Sequence, residues 1–149
     1  MDLKAFASDV PPIVKYLGLD RFLRLLRLLR HLGKPVMRVA NGDVYAGAFG
    51  IIHGRDLVIA KESARFACPE INVGVFPLMV SAIMFRSVPR LKGNEVMTLG
   101  QAITAREALE LGVVNWVVMD ASFQVELAVV VRKLVDKSPL WVQLGKMPL

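Results

Sequence analysis

Lys34 to Pro77 reads KPVMRVANGDVYAGAFGIIHGRDLVIAKESARFACPEINVGVFP. An apolar β-rich run, Val36-Met37-Arg38-Val39-Ala40, leads to the small-residue cluster Ala46-Gly47-Ala48-Phe49-Gly50. A helix-compatible segment, a second β-rich run and the dipeptide Pro69-Glu70 follow. Side chains shrink where backbone must come close to something. Between a strand and a helix, the N–H groups of such a bend are oriented to receive an anion. The same residues also suit a close-packed strand-to-helix turn with no ligand.

Around this stretch the chain is apolar: 54% of its 149 residues are hydrophobic and only 21% charged, enough for one domain with its own core over residues 1–149. Mean hydropathy is +0.48, yet no apolar run is long enough to span a bilayer and MDLKAFASD lacks the pattern of a signal peptide. The excess apolar surface therefore points to burial against other subunits or further chain. Cys68 is the one cysteine, which excludes an intramolecular disulfide framework and points to a reducing, cytoplasmic setting. A formal charge of +6 favours anionic partners.

Upstream, Asp9 to Gly18 reads as a loop around Pro11-Pro12, and Leu19 to Leu32 as an amphipathic helix with Phe22, Leu25, Leu26, Leu29 and Leu32 on its apolar face. Arg21, Arg24, Arg27 and Arg30 fill the intervening positions. Such a helix can bind membrane or nucleic acid, but no aromatic platform or zinc-ligand spacing supports nucleic acid, so a solvated Arg face is expected. Gly33 ends the helix and Pro35 prevents its extension. His53 reads as a structural histidine. Downstream, Met79, Met84 and Phe85 read as core or as lining of an apolar pocket, Pro89–Gly93 as a turn, and Asn94–Gly100 as a short helix. Thr104 with Glu107 is a capping box. Val113–Val118 reads as a strand, Gln124–Lys137 as an amphipathic helix, and Ser138-Pro139 starts another. Alternating strands and helices give an α/β class.

In order and spacing, Lys34-Pro35-Val36, Asn41-Gly42, Ala46-Gly47-Ala48, Asp56–Ala60, Ala64-Arg65-Phe66, Pro69-Glu70-Ile71 and Gly74–Pro77 resemble the central block of the enoyl-CoA hydratase/isomerase (crotonase) family. Ile103–Ala108 and Gly112–Val118 resemble the block that follows it. The resemblance implies a crotonase-like spiral of β-β-α turns, incomplete at the N-terminus and lacking the full C-terminal helices. It makes an acyl-CoA thioester the partner, implies no cofactor beyond the coenzyme A of that substrate and no metal, and points to a homotrimer or hexamer for the full-length protein. Chain with open strand edges is then expected to assemble or aggregate.

By the same resemblance, the Gly47 N–H polarises the thioester carbonyl, Met1 stands where the second backbone donor comes from, and Asp2-Leu3-Lys4 lies along the acyl-CoA. Hydratases of the family use a pair of glutamates; the first position is here Gly50 and the second is Glu70. One carboxylate suits a proton shuttle on an enolate, as in double-bond isomerisation, better than hydration. Burial is expected to raise the Glu70 pKa. Two readings stand: an acyl-CoA isomerase or hydratase relative, and a catalytically impaired remnant acting as a structural or interaction module.

Overall fold

Proline cannot donate a helical hydrogen bond, but at the first helical position none is required. So the first helix, α1 (Pro12–Arg30), opens at Pro12, with Arg27 and Arg30 in its last turn, where the helix dipole favours cations. A computed structural model describes residues 11–54 and 56–146. The expected roles of Met1, Asp2, Leu3 and Lys4 lie outside the described residues. The loop expected at Asp9–Gly18 is, from Pro12 on, helix instead. Phe22, Leu26 and Leu29 are half-buried on its inner face, and Arg21, Arg24, Arg27 and Arg30 are exposed. Leu25 is exposed as well, so the apolar face is narrower than the periodicity suggests, and the helix ends at Arg30, leaving Leu32 beyond it and exposed.

The core stretch then lays down β1 (Met37–Ala40), β2 (Val44–Tyr45), α2 (Gly47–His53), β3 (Leu57–Lys61) and β4 (Arg65–Ala67). Successive strands go to different sheets. β1 pairs with β3 in parallel, Met37 opposite Leu57 and Ala40 opposite Ala60, while β2 pairs with β4 in parallel, Val44 opposite Phe66 and Tyr45 opposite Ala67. Each strand pair followed by helix is one turn of the expected β-β-α spiral. β3 is buried through Val58, Ile59 and Ala60, the continuous apolar run that a covered parallel strand requires. Asp56 fixes its start: its carboxylate accepts from the Val36 N–H at 2.7 Å.

A 3-10 turn at Pro69–Val73 precedes α3 (Leu78–Met84) and α4 (Arg90–Leu99). The turn expected at Pro89–Gly93 is therefore the start of a helix: Pro89 is its N-cap, and Gly93 is buried where a Cβ would meet the Phe85 ring at 2.8 Å. Met84 is fully buried core and Phe85 packs against it, with Phe49, Phe66 and Met97.

β5 (Ile103–Thr104) pairs antiparallel with β4 and runs into α5 (Ala105–Glu110). The capping box is present: Thr104 Oγ1 accepts from the Glu107 N–H at 3.1 Å, and the Glu107 carboxylate accepts from the Thr104 N–H at 2.7 Å. Thr104→Ala is expected to lower stability by about 1 kcal/mol. A urea midpoint unchanged from wild type would contradict that.

β6 (Trp116–Val118) completes the first sheet beside β3, and α6 (Phe123–Val135) and α7 (Pro139–Lys146) follow. The strand is shorter than expected because Val113 and Val114 both donate to the Ala108 carbonyl, and Asn115 turns in to accept from the Val58 N–H at 2.7 Å. No helix among the described residues is long and apolar enough to cross a membrane.

Candidate active site

Parallel neighbours leave a sheet at the same end, and crevices beyond the carboxyl ends of strands are where α/β folds hold ligands. β2 and β4 are such neighbours, about 4.8 Å apart. Their last rung is the bond from the Ala46 N–H to the Ala67 carbonyl at 2.9 Å. One chain continues directly into Gly47, the first residue of α2; the other continues through Cys68 and Pro69 to Glu70. The topology thus brings the two expected site residues to one end of one strand pair.

Gly47 stands at the N-terminus of α2, where its N–H lies outside the intrahelical ladder. The Ala46 carbonyl accepts from Phe49 and Gly50, at 2.9 and 3.3 Å, and tightens the first turn. To aim that turn, Ala46 adopts φ 55° and ψ −128°, a conformation that glycine tolerates and a Cβ does not. It is the one non-glycine residue with positive φ among those described. Backbone strain of this kind costs roughly 1–3 kcal/mol. Ala46→Gly is accordingly expected to stabilise the protein by about 1 kcal/mol, the remainder being offset by the added freedom of the unfolded chain. A lowered denaturation midpoint would contradict this.

Glu70 is 7% exposed, and its Oε2 is buried with no hydrogen-bond partner among the described residues. Burial pushes its carboxyl above the usual carboxylate range. A carboxylate oxygen taken out of water without a donor is costly, and the backbone N–H of Glu70 offsets this only in part; buried carboxyls with raised pKa values recur where a proton has to be held and moved. Cys68 beside it is fully buried. Burial, and secondarily the charge of Glu70, push its thiol up strongly, so it stays protonated and inert.

Two neighbours of this site are not apparent in the sequence. A Cβ placed on Gly50 would lie 3.1 Å from Phe22 Cζ and 3.1 Å from Val80 Cγ2, and one on Gly47 would lie 3.8 Å from Phe22 Cε2. Phe22 on α1 and Val80 on α3 thus roof the first turn of α2 with hydrocarbon. His53, at the other end of α2, is buried against the Phe49 ring at 5.0 Å between centroids, with Ser87 Oγ 3.3 Å from its Nδ1, in keeping with a structural role.

A spiral of parallel strand pairs, with a buried glutamate beyond one strand of a pair and a small-residue helix start beyond the other, defines the class: residues 2–147 match the enoyl-CoA hydratase/isomerase family, and the chain belongs to it. Among curated relatives, the carnitinyl-CoA dehydratase of Salmonella heidelberg is 31% identical over 140 residues, 93% of this chain and 53% of that protein. The human mitochondrial enoyl-CoA hydratase domain-containing protein 3 is 32% identical over 123 residues, 83% of this chain and 41% of that protein. The crystal structure of human enoyl-CoA hydratase domain-containing protein 3 superposes with a TM-score of 0.90 at 29% identity, over 97% of this chain and 57% of that one. An enoyl-CoA hydratase of Mycobacterium smegmatis gives the same TM-score, 0.90, and identity, 29%, over 97% of this chain and 56% of its own. The fold is the crotonase fold, and the chain spans about half the length of the curated relatives it matches.

Proposed function

We propose that this chain carries the proton-transfer half of an acyl-CoA enzyme, with a 3-enoyl thioester isomerised to its 2-enoyl form as the reaction that suits it best. The observation that carries this reading is the buried carboxylate of Glu70, its Oε2 without a hydrogen-bond partner among the described residues, at the same strand ends as Gly47. Ionised Glu70 takes a proton from carbon 2; the electrons pass into the thioester carbonyl, and the Gly47 N–H donates to the resulting enolate oxygen. The carboxylic acid then returns the proton at carbon 4, so one group serves as base and acid in turn. No further cofactor is invoked, coenzyme A arriving as part of the substrate. Met1 and the Asp2-Leu3-Lys4 segment complete the proposal as the second backbone donor and the strip along the acyl-CoA.

Hydration needs a second carboxylate to hold water. The hydrocarbon of Phe22 and Val80 against Gly50 argues for the single-carboxylate chemistry. Exposed Val125, Val135, Leu140 and Trp141 on α6 and α7 support an assembled, oligomeric protein. The test is exchange of the carbon-2 proton of an acyl-CoA with solvent deuterium. Exchange that depends on Glu70 supports the mechanism, and exchange equal in the wild type and Glu70→Gln rules it out.

A further inference from the structure

At the end of α2 away from Gly47 lies a separate cleft of about 530 Å³, the size of a small-molecule pocket. Its rim carries Arg27 and Arg30 from α1, Arg86 from just beyond α3, and Lys146 from the end of α7. Lys146 is committed: it pairs with Asp56 at 2.8 Å and donates to the Leu29 and Lys34 carbonyls, fastening α7 to the end of α1. Asp56, the carboxylate on the cleft, is thereby neutralised. Arg27, Arg30 and Arg86 have no ion-pair partner among the described residues, unlike Arg24, which pairs with Asp20 at 2.7 Å on the same helix.

Helix dipoles favour cations at helix ends, but do not explain why two such ends converge on one cavity. Guanidiniums gathered there repel one another unless an anion lies between them. A lone carboxylate is satisfied by a single bidentate arginine, whereas a phosphate presents oxygens enough for several. Ser87 and His53 add polar lining, and Leu26 and Ile83 an apolar wall. The geometry points to a binding site for a small soluble phosphate compound, a phosphate monoester or diphosphate, separate from the Glu70 site. A concave pocket lined from four helices suits a free ligand rather than a headgroup in a flat bilayer.

Inorganic pyrophosphate is the probe. At constant ionic strength it is expected to raise the thermal midpoint of the wild type saturably, and at least ten-fold more weakly in Arg27→Gln/Arg86→Gln. The imidazole resonances of His53 are expected to shift along the same titration. An equal rise in the double variant, a rise reproduced by sodium chloride, or unmoved His53 resonances would each overturn the assignment. So would Arg27- and Arg86-dependent binding to phosphatidylcholine vesicles containing phosphatidic acid without any saturable pyrophosphate response. None of these readouts depends on acyl-CoA turnover, so the cleft and the Glu70 mechanism stand or fall separately.

Discussion

Glu70→Gln is expected to reduce solvent exchange at carbon 2 of a bound acyl-CoA by about a hundred-fold or more, the usual scale for loss of a positioned general base. Affinity for the acyl-CoA should change little, because the amide keeps the shape of the carboxyl and the Gly47 N–H is untouched. Stability should respond in the opposite sense to activity. An unfolded glutamate titrates near about 4.3, whereas burial holds the proton on native Glu70 to higher pH. Between those values the native protein binds more protons than the unfolded chain, so its stability falls as pH rises through the window and levels off above the native pKa. The Glu70→Gln variant lacks this titration, and its denaturation midpoint should gain on wild type across the same interval. Wild-type exchange should rise with pH through that raised pKa, as the base becomes ionised. A variant that exchanges normally, or whose stability tracks wild type throughout, would remove Glu70 from the mechanism.

What the sequence made legible was what is local. Thr104 and Glu107 are three residues apart and cap a helix whatever else the chain does, and the run from Leu57 to Ala60 is apolar enough to announce a buried strand. Burial of Glu70, expected from the family likeness alone, is what the structure has. The second sheet was not legible, because β2 and β5 are only two residues each and have no period of their own; they are strands through pairing with β4. Pro89 to Gly93 has the composition of a turn, and becomes helix because Phe85 covers Gly93, a contact between elements. The strain at Ala46 was hidden by alanine's own preference for helix, with only its place before Gly47 as a hint. Leu25 keeps helical spacing but faces outward, since periodicity gives a direction and not the width of the surface that receives it, and Leu32 is exposed because the helix ends before it, at Arg30.

Phe22 is the clearest case of a residue that only tertiary structure connects to the site, and it leads to the second large effect. Gly50→Glu, which would add a second carboxylate near the proposed site, is expected to cost roughly 3 kcal/mol or more. The new Cβ would begin 3.1 Å from Phe22 Cζ and Val80 Cγ2, tighter than nearly all real contacts, at a position already buried. The rest of the side chain would then bring a charge into that hydrocarbon. On the proposed mechanism a hydrating water would need the same space, so the single variant should gain no hydration of a 2-enoyl-CoA. Adding Phe22→Ala opens one wall, and the double variant should recover part of the lost stability, with a coupling of about 1 kcal/mol or more by a double-mutant cycle. Independent, additive effects would mean that Phe22 does not occupy the space a side chain at position 50 would enter. A Gly50→Glu protein as stable as wild type, with hydratase activity, would show that the aromatic roof yields freely and that the preference for single-carboxylate chemistry has another origin.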